Sequence, residues 1–375
     1  MSENIDWVEK AKAIGPALSE AAARHDLDGT FVREGYALLR ERRFFSMGVP
    51  RELGGGGAGH REICETVRAL AHSCGSTALA FSMHSHLLAA AVWRHLHGQS
   101  AEALLRKIAA NETVLLSTGA SDWVDSNGTM TRVEGGYRVS AKKVFGSGGP
   151  AADLLVTSAR YEDPQAGAQV LHFTVPASAE GVTFAADWNT LGMRGTGSDT
   201  IVLKDVFVPE HAISLRRPRG AWHAAWSVTL TVAIPIFMAP YVGIAEAARE
   251  VAHGIAKTKN DAHAADLAGE LENLVAQTQL AWRAAIDGAD DYDFAPSLDL
   301  ASRALVAKTL CANGATAAVR KAMELAGGAS FFRGPLERML RDVAAAPYHA
   351  LPEKRQLRFS GLVALGRDPI AGAAP

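Results

Sequence analysis

Cysteine and excess charge are both scarce in this sequence. Of its 375 residues only three are cysteines, which is too few for a disulfide framework, and their spacing fits no metal site. The 38 basic and 40 acidic side chains give a formal charge of -2, so charge does not indicate a nucleic-acid partner. One basic stretch, Arg216-Arg217-Pro218-Arg219, is interpreted as a solvated loop.

Targeting and membrane signals are also scarce. The first twenty residues carry early acidic side chains and no apolar core segment, so we expect no signal peptide and a cytoplasmic protein. The uncharged stretch from Ala224 to Ala245 is long enough to cross a bilayer. It contains two prolines and three serine or threonine residues and lacks topogenic flanks. We therefore interpret it as a helix buried in a bundle, and expect no membrane partner.

Three sections that differ in composition and in the spacing of apolar residues follow one another along the chain. Residues 1–112 and 216–375 contain the Ala- and Leu-rich periodic runs of helices, whereas residues 113–215 contain short β-branched or alternating runs typical of strands. We predict an α+β multidomain protein: an N-terminal helical domain, a central antiparallel β-barrel or sandwich, and a C-terminal helical bundle. A tight hairpin is predicted around Gly135-Gly136, since glycine tolerates positive φ.

Several local patterns imitate cofactor or metal motifs. The glycines from Gly192 to Gly197 resemble a dinucleotide loop, but a strand pattern follows where a helix would be required. The glycines at 54–57 lack the Gly-Lys-Ser/Thr of a phosphate-binding loop. His84 and His86 are two residues apart, so on a helix their side chains diverge. We therefore expect neither a Rossmann domain nor a metal site.

Longer strings in all three sections resemble the acyl-CoA dehydrogenase family. They are Gly48-Val-Pro-Arg-Glu-Leu-Gly-Gly, Trp188-Asn-Thr-Leu-Gly-Met-Arg-Gly-Thr-Gly-Ser-Asp-Thr, Leu325-Ala-Gly-Gly-Ala and Pro335-Leu-Glu-Arg-Met-Leu-Arg-Asp. The resemblance implies the fold of that family, in which an α-domain, a β-barrel and a four-helix bundle follow one another. It also implies a flavin between the β-domain and the bundle, and a homodimer or homotetramer.

The resemblance further implies which residues contact the flavin, expected to be FAD with FMN as an alternative. Ser140-Ala-Lys-Lys-Val-Phe-Gly-Ser is similar to the flavin-contacting strand of the family. Phe145 would cover the ring, and Ser147 would donate a hydrogen bond to it. Ser117 corresponds to a flavin-contacting hydroxyl residue of the preceding strand. The other implied ligands are Gly327, Gly328, Arg194 and Ser198, of which the last two are either close to the cofactor or structural.

Two departures from the family pattern bear on the chemistry. Dehydrogenases of the family remove the α-proton of an acyl thioester with a glutamate, but Ala350 and Ala233 stand at its two known positions. Glu353 is the spare carboxylate candidate. The arginine that normally reaches the flavin pyrophosphate is replaced by Lys257 or Lys259, which lack its bidentate fork.

His349 lies where the monooxygenase branch of the family carries a histidine. That branch receives reduced flavin from a separate reductase and oxygenates its substrate. In this setting His349 would act as acid or base, and His84 and His86, on a pocket-lining helix, are candidates to join it. Four apolar residues either line a pocket or belong to the core: Trp222, Trp226, Phe237 and Met238.

These observations leave three functions open. The first, slightly favoured, is dehydrogenation of a small substrate such as an acyl-CoA, with an electron-transfer flavoprotein as the acceptor. The second is a two-component monooxygenase supplied by a flavin reductase. The third is a catalytically silent relative that serves in binding or assembly, because fold alone does not decide chemistry.

Overall fold

Helices form both ends of the chain and strands form its middle in the computed structural model, which describes residues 5–119, 122–258 and 261–370. This order confirms the predicted fold class. The helices are α1 (Trp7–Asp28), α2 (Arg33–Glu41), α3 (His60–Ser73), α4 (Gly75–Leu96), α5 (Glu102–Asn111), α6 (Ala224–Ala256), α7 (Ala264–Ala289), α8 (Leu298–Ala326), α9 (Pro335–Val343) and α10 (Glu353–Ala364). The strands are β1 (Leu115–Ser117), β2 (Thr129–Val133), β3 (Gly136–Gly146), β4 (Leu154–Asp163), β5 (Gly167–Pro176), β6 (Val182–Phe184), β7 (Asp199–Pro209) and β8 (Ile213–Pro218).

The N-terminal helices follow from local sequence signals. In α3 the buried side chains Ile63, Val67 and Leu70 recur every three or four residues, so one stripe faces the core. Helix α1 begins after Asp6, whose carboxylate accepts the N–H of Glu9 at 2.9 Å. It ends at Gly29, which has φ 65°. Both ends therefore carry caps that the sequence encodes.

The strands form one eight-stranded sheet in the order β6-β7-β3-β2-β4-β5-β8, with β1 paired to β4. Most pairs are antiparallel, but β1–β4 and β2–β4 are parallel. The predicted hairpin joins β2 to β3, where Val133 pairs with Gly136 and Gly135 has φ 74°. Alternate β3 residues such as Tyr137 and Val139 are buried in a core separate from that of the helices.

The basic stretch at 216–219 is not a solvated loop, contrary to the prediction. Its first three residues belong to β8, and Arg217 is fully buried. The Arg217 guanidinium donates to the carbonyl oxygens of Asp122 and Val124, at 2.9 and 3.1 Å, and to Nε2 of His172 at 3.0 Å. A buried charge needs such partners, and these come from distant segments that no local pattern reveals.

Helix α6 is the apolar segment that could have been mistaken for a membrane span. Among the described residues, α6 has the length and hydropathy needed to cross a bilayer. Of its apolar 18-residue window, 94% is buried inside the protein. It packs against α3, α4, α7 and α8. The prediction of a buried core helix is therefore confirmed.

One buried carboxylate ties three helices together. Glu246 of α6 accepts hydrogen bonds from Arg68 at 2.7 Å and His72 at 2.8 Å, both in α3, and from Gln279 of α7 at 2.5 Å. These partners outweigh the effect of burial and lower the pKa of Glu246 to about 2. The N-terminal and C-terminal helices are thus joined by charge as well as by apolar packing.

A junction between the three sections forms where the loop before β7 meets α9. The N–H of Met193 donates to Asp342 at 2.5 Å, although 149 residues separate them. Arg341 forms a bidentate pair with Asp26 of α1 at 2.6 and 2.8 Å. Arg194 donates to the carbonyl oxygen of the same Asp26 at 2.6 Å. Two family-like strings, at 188–200 and 335–342, therefore meet here.

Replacing Gly192 with alanine should destabilise this junction. A Cβ at Gly192 would lie 1.9 Å from the carbonyl oxygen of Arg341, so one backbone must move. We expect a loss of about 2–4 kcal/mol in the free energy of unfolding, measured by urea titration. Gly361→Ala is the control, because Gly361 is exposed in α10 with open space around its Cβ. It should be neutral or stabilising, and equal effects for both variants would contradict the described junction.

Candidate active site

The end of β3 presents an aromatic ring beside a row of hydroxyl groups. Phe145 has φ 63° and is 56% exposed, and its ring makes an edge contact with Trp188 at 6.2 Å. Two residues on, the hydroxyl of Ser147 lies 2.8 Å from that of Ser198, which lies 2.7 Å from that of Thr196. The structure thus brings together Ser147 and Ser198, two of the residues predicted to contact the flavin.

The hydroxyl row has a preferred direction. Thr196 donates to the carbonyl oxygen of Met193 at 2.9 Å, so its own proton is already used. Ser198 then donates to Thr196, and Ser147 donates to Ser198, which leaves lone pairs of Ser147 free. In this arrangement Ser147 could accept a hydrogen bond from a ligand N–H; the donation to the flavin that the sequence predicts for Ser147 stays a prediction. An exposed aromatic face next to a polar acceptor fits the edge of a flavin ring.

The other predicted cofactor residues lie in different places. Ser117 is half-buried at the end of β1, paired with Val156 of β4. Arg194 binds the end of α1 through the Asp26 carbonyl, so its contacts are structural. Gly327 ends α8 with φ 71°, and Gly328 follows it on the surface. Lys257 is exposed at the end of α6, and Lys259 lies outside the described residues.

His349 lies in a cluster built by three helices and the segment after α9. Its Nε2 is 2.6 Å from the Tyr241 hydroxyl, and its ring stacks on Phe237 with centroids 5.1 Å apart and planes inclined by 21°. Phe237 and Tyr241 are both buried on α6. The Phe237 ring also makes an edge contact with His86 of α4, with centroids 6.5 Å apart. Two of the predicted histidines therefore flank one phenylalanine.

The segment that carries His349 is anchored by a buried lysine. Lys308 of α8 is 1% exposed and donates to the carbonyl oxygen of Leu351 at 2.9 Å. Burial lowers the pKa of Lys308 to about 8, and the Glu353 carboxylate partly opposes this effect. Glu353 is half-buried in the first turn of α10. The spare carboxylate therefore acts electrostatically on Lys308.

His84 is bonded to the backbone at both ring nitrogens. The N–H of Leu115 donates to its Nδ1 at 3.0 Å, so the proton lies on Nε2, which donates to the Phe45 carbonyl oxygen at 2.8 Å. This arrangement ties α4 to β1 and to the loop after α2. His84 is thus a satisfied core histidine, and its contacts give it a structural role in place of the predicted acid–base role.

His86 differs from its neighbour because a ring nitrogen is unsatisfied. The residue is 7% exposed, and its Nδ1 is buried without a hydrogen-bond partner in the described structure. An orphaned buried nitrogen is costly unless a ligand or water completes it. His86 is therefore the histidine of the predicted pair whose ring keeps an unused hydrogen-bonding nitrogen.

Sequence reasoning missed two residues of this cluster, Tyr241 and Lys308. Each left a weak signal. Tyr241 places a hydroxyl inside an otherwise apolar helical stretch, and Lys308 occupies the same helical stripe as the buried Leu305 and Ala312. A polar group on a buried helix face needs a partner, but the sequence does not show which one.

Acid should destabilise the protein because three buried histidines, His60, His84 and His86, and two half-buried ones, His172 and His349, are held as neutral rings. Burial lowers their pKa values to about 4 for His60 and His84 and about 3 for His86, His172 and His349. The unfolded chain takes up these protons near pH 6.5, and the folded chain does so only near pH 3–4. Stability should therefore fall as pH drops from about 6.5 towards 4, by at most about 1.4 kcal/mol per pH unit for each histidine.

Urea unfolding at several pH values tests this acid sensitivity. Burial raises the pKa of Asp342 to about 6, so this carboxyl favours the folded state as pH falls below 6 and offsets about one histidine. Glu246 titrates in a lower window, because its pKa is lowered to about 2. An unfolding midpoint that stays constant between about pH 7 and pH 5 would contradict the described burial of the histidines.

Within the described ranges, no three histidine, cysteine, aspartate or glutamate side chains converge to hold an ion. An open groove of about 440 Å³ lies between α7 and α8, and Pro347 forms part of its wall.

Family models match the chain in three consecutive segments. The acyl-CoA dehydrogenase N-terminal domain matches residues 12–112, the middle domain residues 117–206, and the C-terminal domain residues 236–353. These segments carry the helices, the sheet and the helical bundle described above.

Similar full-length proteins include members with different activities. YdbM of Bacillus subtilis (strain 168), provisionally named an acyl-CoA dehydrogenase, is 28% identical over 90% of this chain and 91% of its own. The amino sugar nitrososynthase DnmZ of Streptomyces peucetius is 28% identical over 94% of this chain and 91% of its own. A structure of KijD3 with FMN and dTDP-3-amino-2,3,6-trideoxy-4-keto-3-methyl-D-glucose has a TM-score of 0.88 at 28% identity, covering 96% of this chain and 94% of that one.

Proposed function

We propose that this chain, which belongs to the acyl-CoA dehydrogenase family and is a flavin-dependent oxidoreductase, is a monooxygenase that uses reduced flavin and molecular oxygen. The observation that carries the proposal is the environment of His349. Tyr241 and Phe237 contact it, His86 contacts the same Phe237 ring, and alanines stand at both positions where the family dehydrogenases carry their glutamate. Sequence alone favoured dehydrogenation slightly, and this environment reverses that preference.

The cofactor would lie against the end of β3. Phe145 and Trp188 would contact the flavin ring, and Ser147, supported by Ser198, would accept a hydrogen bond from it. FAD and FMN both fit this set of contacts, and KijD3 was crystallised with FMN. Reduced flavin, when bound, supplies electrons that activate oxygen. A separate flavin reductase is the partner that this function requires, and the homodimer or homotetramer implied by the family stays a prediction.

The His349 cluster would bind the substrate and orient its reacting group. Burial lowers the pKa of His349 to about 3, followed by a smaller effect of the Lys308 charge, so the ring is neutral at physiological pH. Phe237 offers an apolar face, and the unpaired Nδ1 of His86 offers a polar contact. A small molecule with an oxidisable amine or sulfur next to an apolar body suits these groups.

Two parallel assays separate oxygenation from dehydrogenation. In the first, the protein receives FMN reduced by a flavin reductase, ¹⁸O₂, and a dTDP-linked amino sugar, an aromatic amine or a thioether. A product carrying one heavy oxygen, detected by mass spectrometry, is the expected result. In the second, FAD-loaded protein is mixed anaerobically with a series of acyl-CoAs. Loss of the oxidised-flavin absorbance there would overturn the proposal and assign dehydrogenation, the activity for which YdbM is named.

A further inference from the structure

Within the proposed function, we infer that Tyr241 is a positioning residue that fixes the tautomer of His349. Its hydroxyl donates to Nε2, so the proton of the neutral imidazole lies on Nδ1. His349 then presents an N–H, and it acts on the reacting group as a hydrogen-bond donor. The inference rests on the proposed function for its catalytic meaning, but the tautomer itself is a property of the protein alone.

The contact between Tyr241 and His349 is short and partly buried. The hydroxyl oxygen lies 2.6 Å from Nε2, and the two ring centroids are 5.4 Å apart. Tyr241 is fully buried in α6, one turn after Phe237, so the same helix face holds the edge and the plane of the imidazole. Phe237 limits the tilt of the ring, and Tyr241 fixes its rotation. The ring is therefore held in one orientation before any substrate arrives.

The direction of this hydrogen bond follows from the needs of the hydroxyl group. A phenol buried in an apolar helix must donate its proton, because an unsatisfied buried donor is costly. The acceptor within reach in the described structure is Nε2 of His349. Burial also raises the pKa of Tyr241 well above its usual value, so the hydroxyl keeps its proton. If Nε2 carried the imidazole proton, the Tyr241 proton would have no such acceptor.

The groups that face His349 keep the imidazole neutral over the working pH range. They are Tyr241 and Phe237 from α6, His86 from α4 and Lys308 from α8. The positive charge of Lys308 opposes protonation of His349, and His349 in turn lowers the pKa of His86. A neutral ring cannot supply a full proton as an imidazolium would. It can stabilise developing negative charge through a fixed N–H, as a preorganised donor does.

The tautomer is measured directly by nitrogen-15 NMR of protein labelled at its histidine rings. The His349 signals are assigned by their loss in His349→Asn. We expect a pyrrole-type shift for Nδ1 and a pyridine-type shift for Nε2, with no change between about pH 5 and pH 8. In Tyr241→Phe, which keeps the ring and removes the hydroxyl, protonation of Nε2 should become detectable. This measurement needs neither flavin nor substrate, so its outcome is independent of the proposed function.

Tyr292→Phe is the matched control. Tyr292 is also buried, and its hydroxyl has no hydrogen-bond partner in the described structure, so the same atom is removed without loss of a bond. Its His349 spectrum should equal that of the wild-type protein. Protonation of Nε2 in the wild type, or a Tyr241→Phe spectrum identical to the wild type, would overturn the inference.

A double-mutant cycle tests the catalytic meaning. With a substrate found in the oxygenation assay, Tyr241→Phe should lower kcat about tenfold and leave KM unchanged, since one neutral hydrogen bond is lost. In a His349→Ala background the same change should have no further effect, because Tyr241 acts through His349. If the loss of kcat in the double variant equals the product of the losses in the two single variants, Tyr241 acts separately from His349. That result would overturn its positioning role.

Discussion

Replacing His349 with alanine should reduce product formation in the oxygenation assay by about 100- to 1,000-fold, the usual loss when one preorganised donor is removed from a reacting centre. The binding of FMN, followed by fluorescence quenching, should be unchanged. The reason is spatial: His349 contacts Phe237 and Tyr241, whereas the predicted flavin contacts lie at the end of β3. A loss of turnover without a loss of cofactor would therefore locate His349 on the substrate side.

The control for this variant is His211→Ala. His211 is exposed in the turn before β8, so this variant also loses one histidine but leaves the His349 cluster intact. It should retain full activity. If His349→Ala turned over as fast as the wild-type protein with an identified substrate, the role given to His349 would be wrong. A matching loss of FMN binding would instead indicate that His349 supports the cofactor site.

Replacing Lys143 with methionine should lower the free energy of unfolding by about 3–5 kcal/mol, because it leaves a carboxylate buried without its cation. Lys143 and Asp122 are 1% and 4% exposed, and Nζ lies 2.6 Å from the carboxylate oxygen. The Ser126 hydroxyl completes the site, 3.0 Å from Nζ. Since Lys143 belongs to β3, just before Phe145, a weaker affinity for FMN should accompany the loss of stability.

A second variant separates the buried charge from packing. Adding Asp122→Asn to Lys143→Met removes the unpaired charge and should recover at least half of the lost stability in urea titrations. The exposed pair Lys12–Glu9 supplies the comparison, with side chains 59% and 63% exposed. Lys12→Met should change stability by less than about 0.5 kcal/mol. A small effect of Lys143→Met would mean that its ammonium is hydrated instead of enclosed.

Local patterns were sufficient to predict most of the secondary structure. Helices such as α3 and strands such as β2 lie in the sections predicted to be helical and β, because apolar spacing and turn residues act within a few positions. The glycine hairpin after β2 was predicted for the same reason. The order of helices, strands and helices was predicted from the change in the spacing of apolar residues between the sections. This order assigned the end of β3 and the His349 segment to neighbouring domains.

Contacts between distant segments could not be predicted in this way. Strand β8 was missed because a run of arginines is typical of a solvated loop. The burial of Arg217 is tolerated because carbonyl groups of another loop accept hydrogen bonds from its guanidinium. The pairing of Tyr241 with His349 joins residues 108 positions apart. His84 and His86 have similar sequence contexts, yet one is satisfied by backbone groups and the other is not. Tertiary placement alone separates their roles.

The central position of α6 has a consequence for synthesis of the chain on the ribosome. Helices α3 and α4 bury part of their apolar surface against α6, which begins well over one hundred residues after α4 ends. At about 5–20 residues per second, this interval corresponds to roughly 6–26 s of translation. During that time the nascent N-terminal helices expose surface that only a later helix covers. We therefore expect a fragment that stops after the sheet to aggregate.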